Sequence, residues 1–244
     1  MKIIATIEAR MGSSRLPGKV LLPAMGEPML YWLIKRLKKS RLIDDLIIAS
    51  SIDQKDDQIS DFAKKHSLNF FRGSEDNVML RVIKAAESLD AELIVQITGD
   101  CPLIDPEITD QVIELYLNNI TDFASNSIIR TYPDGMDVQV FSLHSIKKSY
   151  SLVTSELDRE HVSSHMARNN QLFKQLNLKA PKKLFWPDLG LTLDQKEDYK
   201  LIKNIFEYFN DLNADFNCFD IIEYLRNNKK LLNINSHVIR KEYS

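Results

Sequence analysis

Three cations fall within ten residues near the start of the chain: Arg10, Arg15 and Lys19, in the run Ala9, Arg10, Met11, Gly12, Ser13, Ser14, Arg15, Leu16, Pro17, Gly18, Lys19. Glycine lets a backbone come close to phosphate oxygens, an arginine fork grips such oxygens in pairs, and a lysine supplies a mobile point charge. The chemistry this suits is a triphosphate cradle, with Lys19 stabilising charge at a transferring phosphoryl centre. A solvated basic turn is the bland alternative, and the run is neither a Walker loop nor a dinucleotide fingerprint. Its placement favours function. It follows directly on Ile3 to Glu8, an apolar run that predicts the first strand of an α/β sheet, and ligands of such sheets gather at the carboxyl ends of strands.

Two carboxylates have matching positions. Asp100, in Thr98, Gly99, Asp100, Cys101, Pro102, follows a second buried-looking strand, Leu93 to Thr98, and so emerges at the same sheet edge. Asp194 ends the strand-like run Leu191 to Asp194. A triphosphate needs a hard cation, and Mg²⁺ is held by one or two carboxylates plus phosphate oxygens and water, which makes both residues candidate metal ligands. Against this, Asp beside Gly often stabilises a turn, and Asp194 precedes Glu197 by three residues, the spacing of a capping box. Arg72, Gly73, Asn77 and Arg81 surround a loop and helix start suited to base, ribose or phosphate, although Asn77 also fits a plain N-cap. Phe70 and Phe71 fit the core better than a base-stacking platform.

The elements that must position these groups alternate. Helical periodicity predicts helices over Pro28 to Ser40, Lys55 to His66, Asn77 to Ser88 and Glu107 to Asn118, the last capped by Asp105 with Pro106 in its first turn. Short apolar runs at Leu46 to Ser51 and Leu93 to Thr98 predict strands between them, so crossovers and a largely parallel sheet follow. Asp122 to Phe141 reads as strands around a Pro133, Asp134, Gly135 turn and interrupts the alternation. A helix from Leu143 to Leu152, β-like runs at Lys174 to Lys179 and Leu191 to Asp194, and helices over Glu197 to Phe209 and Phe219 to Asn227 complete the pattern.

The chain of 244 residues has 32 Lys plus Arg against 34 Asp plus Glu, so its charge balance offers no surface for nucleic acid or membrane. Met1 to Ala9 is too brief for a signal segment and nothing approaches a membrane span, which predicts a cytoplasmic protein. Cys101 and Cys218 match neither a zinc knuckle nor a redox pair and are expected as free thiols.

The Arg10 to Lys19 run resembles the signature of the cytidylyltransferases that make CMP-activated 3-deoxy-ulosonic and sialic acids, and especially their SpsF-like branch. The resemblance continues through Gly73 to Arg81, Thr98 to Asp105, Pro133 to Val140, Arg159 to Val162 and Leu191 to Tyr199. It implies a Rossmann-like, three-layer α/β nucleotidyltransferase fold of the nucleotide-diphospho-sugar transferase type, with a mostly parallel mixed sheet. One domain would span 1–244, with 122–170 inserted as an acceptor and dimerisation subregion. CTP would be held by residues 9–15, Lys19, Arg72, Gly73, Asn77, Arg81 and Thr98 to Asp100. Arg10, Lys19 and Asp100 would act in catalysis, and Asp100 and Asp194 would hold Mg²⁺. Asp134, Gly135, Asp137, Arg159, Glu160 and His161 would meet a small acidic acceptor, and the protein would be a homodimer serving surface polysaccharide synthesis. Gly190 stands where family members commonly carry arginine. The acceptor could equally be a sugar phosphate or phosphonate, or the chain a non-catalytic nucleotide-binding subunit. A glycosyltransferase would be expected to show an Asp, any residue, Asp motif, and the sequence has none.

Overall fold

The computed structural model describes residues 1–212 and 215–238. Its centre is a seven-stranded sheet in the order β5-β4-β1-β6-β8-β7-β9. Strands β1 (Ile3–Glu8), β4 (Asp45–Ser51), β5 (Asn69–Gly73) and β6 (Leu93–Thr98) are parallel neighbours, with Ile4 opposite Asp45 and Ile3 opposite Leu93. The near-continuous apolar runs of β1, β4 and β6 reflect burial on both faces, as parallel sheets require, whereas β5 at the sheet edge is half-buried throughout. The other half is shorter. β8 (Gln139–Ser142) runs antiparallel to β6 and to β7 (Phe123–Ser125), and β9 (Gln175–Asn177) pairs parallel with β7. The sheet is mixed and mostly parallel, as the resemblance implies.

Helices α1 (Met29–Leu37), α2 (Asp57–Lys65) and α4 (Pro106–Leu117) cover one face, packing Leu33, Ile59 and Val112 against Ile7 and Ile97. The opposite face is covered by α3 (Val78–Glu87), α5 (Leu143–Leu152) and the short α7 (Ser164–Arg168), around Ile4, Met79, Ile146 and Met166. That is the expected three-layer arrangement. A third cluster joins α8 (Lys196–Asp211) and α9 (Cys218–Asn227) to Leu16, Leu103 and Leu193, so it ties the three candidate site segments together from behind. A two-residue hairpin, β2 (Pro23–Ala24) with β3 (Glu27–Pro28), links the first loop to α1. α6 (Glu156–Glu160) and α10 (Lys229–Leu232) are single turns.

Three expectations need correction. β5 is a full strand that the sequence reading missed, because Phe70 and Phe71 pack on opposite faces and give no one-sided alternation. Leu191 to Asp194 is not a strand: Gly190 makes one isolated bridge to Asp134, and Leu193 donates its N–H to the Asp100 carbonyl at 2.8 Å. Pro133 to Gly135 does lie between two strands, as expected: it sits in the connection joining the antiparallel neighbours β7 and β8, which is a long excursion and not a tight turn. Asp194 does not cap α8 either; Gln195 does, with the Asp198 carboxylate accepting from the N–H groups of Asp194 and Gln195.

Both cysteines are free and buried, as expected. Among the described residues no helix is long and apolar enough to cross a membrane.

Candidate active site

Strand order reverses between β1 and β6, and in open α/β sheets the crevice at that point is where ligands bind. The Arg10 to Lys19 loop leaves the end of β1, and the loop carrying Asp100 leaves the end of β6. These ends approach closely. The Gly99 N–H donates to the Glu8 carbonyl at 2.8 Å, and a Cβ at Gly99 would sit 2.6 Å from that same oxygen, so only glycine fits. The first loop is fastened at both ends. The Met11 N–H donates to Asp56 Oδ1 at 2.6 Å, while Asp56 Oδ2 accepts from the Ser51 hydroxyl at 2.5 Å at the end of β4. Leu16 is buried against the α8–α9 cluster. A single 3₁₀ turn, Lys19–Leu21, then starts the chain toward α1.

The result is a compact ionic centre. Lys19 Nζ donates to Asp100 Oδ2 at 2.6 Å and to Asp194 Oδ1 at 2.8 Å, and Arg15 pairs with Asp194 Oδ2 at 2.9 Å. Burial works against the charge on Lys19, but Asp100 and Asp194 outweigh it and the ammonium pKa is raised. Burial likewise disfavours the Asp100 carboxylate, yet Lys19 and the Thr98 hydroxyl hold its pKa below the usual range. Two hard carboxylates thus converge on one point, as a divalent cation would require. Among the described residues no three His, Cys, Asp or Glu side chains converge, so phosphate oxygens and water would complete its shell.

A second ionic cluster abuts the first. Arg130 grips Asp137 with two parallel bonds, Nη1 to Oδ1 at 2.9 Å and Nη2 to Oδ2 at 2.7 Å, and its Nη1 lies 3.3 Å from Asp134 Oδ1. Burial raises the Asp137 pKa, Arg130 opposes this, and Asp134 and Asp100 add to it. Gly135 has φ +99°, and a Cβ there would lie 2.6 Å from the Leu191 carbonyl carbon; the Asp134 carbonyl accepts from the Leu191 N–H at 2.7 Å. The segment leading to Asp194 is therefore threaded along the 134–137 loop. Sequence reading passed over Arg130, although an arginine four and seven residues ahead of two aspartates in a turn-rich stretch was the available signal.

The remaining candidates divide. Arg10 pairs with Glu160 at 3.2 Å, joining the loop to α6; Arg159 is exposed on the same turn, and His161 is its C-cap. Asn77 caps α3, accepting from the Leu80 N–H at 3.0 Å. Arg72 is fully engaged in structure, donating to the Ser51 and Asp53 carbonyls and to Asp57. Arg81 is buried, with its Nη1 on the Ser74 carbonyl and on the Glu75 carbonyl at 3.2 Å. These three positions hold the Ser51 to Arg81 wall together. Glu8 is another residue the sequence reading missed: burial pushes its carboxyl up to about 8 against Gln96 and Arg81, and its Oε1 is buried with no hydrogen-bond partner among the described residues. Two clefts of about 290 and 300 Å³ beside Arg36 include none of Lys19, Asp100 and Asp194 in their walls, so the ionic centre belongs to the open sheet edge.

With this geometry in view, the profile of the family described as Cytidylyltransferase matches residues 4–236. The chain belongs to the cytidylyltransferase family. As a member it is a nucleotidyltransferase. It is 32% identical to the spore coat polysaccharide biosynthesis protein SpsF of Bacillus subtilis, over 93% of this chain and 95% of that protein. It is also 32% identical to the 3-deoxy-manno-octulosonate cytidylyltransferase of Trichlorobacter lovleyi, over 55% of this chain and 58% of that one. A solved cytidylyltransferase from Leptospira borgpetersenii superposes with a TM-score of 0.90 at 33% identity, covering 99% of this chain and 100% of that one. A CMP:2-keto-3-deoxy-manno-octonic acid synthetase solved with CTP shares the fold, with a TM-score of 0.63 at 16% identity over 85% of this chain and 99% of that one.

Proposed function

We propose that this cytidylyltransferase transfers CMP from CTP to a hydroxyl of a small acidic sugar of the 3-deoxy-ulosonic or nonulosonic type, releasing pyrophosphate. The observation that carries the reading is the Lys19 ammonium bridging Asp100 and Asp194 at 2.6 and 2.8 Å at the switch point of the sheet. Phosphoryl transfer asks little covalent chemistry of a protein; positioning and charge stabilisation are most of the work. The acceptor oxygen forms a bond to the α-phosphorus, the bond from that phosphorus to the bridging oxygen of the β-phosphate breaks, and the acceptor's proton is lost to water.

In this scheme Arg10, Ser14 and Arg15 hold triphosphate oxygens, and Ala9 to Ser13 with Thr98 to Asp100 line the nucleotide. Arg72, Gly73, Asn77 and Arg81 act as the supporting wall. Lys19 exchanges its carboxylate partners for α-phosphate oxygens and stabilises charge there. Asp100 and Asp194 would hold Mg²⁺, which supplies Lewis-acid neutralisation of the triphosphate. The acceptor lies between the 134–137 loop and the Arg159, Glu160, His161 turn, within a subregion, 122–170, that also meets a second copy in a homodimer. CTP in the cytoplasm and a surface polysaccharide as destination fit the likeness to SpsF.

The test is pyrophosphate release from each of the four nucleoside triphosphates, screened against ulosonic acids, sugar phosphates and phosphonates. CTP with a ulosonic or nonulosonic acid should be the productive pair, and Asp100→Asn should lower turnover by about 10²–10³-fold with the fold intact. Turnover at the parent rate by Asp100→Asn, or productive use of neutral sugars alone, overturns the reading.

A further inference from the structure

Among the described residues, the basic side chains around the ionic centre are mostly spoken for. Lys19 and Arg15 face the phosphate side through Asp100 and Asp194, and Arg10 is held by Glu160. Arg130 differs in how it is held. A guanidinium offers two bidentate edges, the end-on pair Nη1 and Nη2 and the side-on pair Nε and Nη2. Asp137 takes the end-on edge, with Asp134 flanking Nη1. The Nε–H has no acceptor among the described residues. The side chain is one third exposed.

The backbone beneath it is pinned on both sides. The Ile129 N–H donates to Asn177 Oδ1 at 2.9 Å, and the Thr131 carbonyl and hydroxyl accept from the N–H groups of Trp186 at 3.1 Å and Ala180 at 2.9 Å. Asp137 and Asp134 favour the charged guanidinium against burial, so its pKa is raised. The cluster stands beside the reacting edge, where Asp137 feels the charge of Asp100. A pre-oriented arginine whose side-on edge no described residue takes matches the geometry of a carboxylate ligand.

We propose that Arg130 receives the acceptor's carboxylate on its Nε–Nη2 edge, and so makes this enzyme select sugar acids over neutral sugars. The inference rests on the acidic acceptor of the proposed function. Asp134 and Asp137 then act as positioning residues: they hold the guanidinium rather than touch the sugar.

The experiment compares a productive sugar acid with its methyl ester, using the full-length protein and pyrophosphate release. The parent enzyme should show a KM for the acid about 10- to 100-fold below that for the ester, and Arg130→Gln should erase that ratio while leaving the KM for CTP unchanged. Because Arg130→Gln strands Asp137, the double variant Arg130→Gln, Asp137→Asn keeps the test open if the single variant fails to fold. A preserved acid-to-ester ratio in either folded variant overturns the proposal, as does loss of the ratio in Arg159→Gln but not in Arg130→Gln. A parent enzyme that turns over no sugar acid at all refutes the acidic acceptor, and with it this assignment. A parent that uses the acid and its ester equally well refutes the assignment alone.

Discussion

The two halves of the sheet are built by different means. β5, β4, β1 and β6 are five to seven residues long and paired in parallel, and loops leaving the ends of β1 and β6 bring Lys19 and Asp100 together. β7, β8 and β9 are three or four residues long, and that half is held by polar side chains: Asn126 reaches the backbone of Met136 and Val138, Asn177 that of Ile129, and Arg130 grips the Asp137 carboxylate. The first half carries its chemistry on a frame that exists without it. In the second, the polar residues are much of the frame. Matched substitutions in the two halves should therefore fail differently.

The largest effect belongs to the first half. Lys19→Ala should lower kcat by about 10³-fold, since it removes the cation that would meet charge developing in the transition state, while far-ultraviolet circular dichroism stays that of the parent. Unfolding of this variant would break the contrast, because it would make the Asp100 and Asp194 pair part of the frame. In the second half, Asn126→Ala should destabilise by about 2–4 kcal/mol, read from the denaturant midpoint, with kcat reduced far less. Asn126 is 1% exposed, donates to the Met136 carbonyl at 2.6 Å and accepts from the Val138 N–H at 2.8 Å, so truncation strands two buried backbone groups.

The same contrast explains what the sequence disclosed. Ile3 to Glu8 and Leu93 to Thr98 are legible as strands because burial on both faces demands unbroken apolar runs, and the position of Asp100 follows from them. Asn69 to Gly73 hides because its two phenylalanines serve opposite faces. The place of Asp194 was foreseen for the wrong reason. No strand delivers it; the Leu193 N–H on the Asp100 carbonyl and the Leu191 N–H on the Asp134 carbonyl do, and such long-range bonds leave no periodicity. Arg130 escaped for a related cause, since its partners lie within seven residues yet the value of the cluster depends on Asp100 arriving from another strand. β7 and β9, at three residues each, are too short for any pattern to announce.

An intermediate effect sharpens the account of the parallel half, where Glu8 is an exception to a frame of apolar side chains. Its carboxyl is held at about 8 instead of the ordinary 4.5, so between those values the folded protein keeps a proton that the unfolded chain has lost. Stability should then fall as pH rises from about 5 to 8, by at most about 1.4 kcal/mol per pH unit, and level off above. Glu8→Gln should flatten that slope. Urea titrations at pH 5, 6.5 and 8 read it directly, and an equal slope in both proteins would show that Glu8 is ionised in the folded state.

The smallest effect concerns the pair that bridges the halves, Arg10 with Glu160. Both side chains are about two fifths exposed, and an ion pair of that kind contributes roughly 0–1 kcal/mol. Glu160→Gln should thus leave the denaturant midpoint nearly unchanged. Its influence should fall on binding: it releases Arg10 for the triphosphate, so the KM for CTP should drop by less than about tenfold, and the difference should shrink as salt screens both charges. A loss of several kcal/mol instead would mean that α6 is clamped to the Arg10 to Lys19 loop through this contact. The two halves would then fold as one unit, and their separate construction would be a feature of the sheet alone.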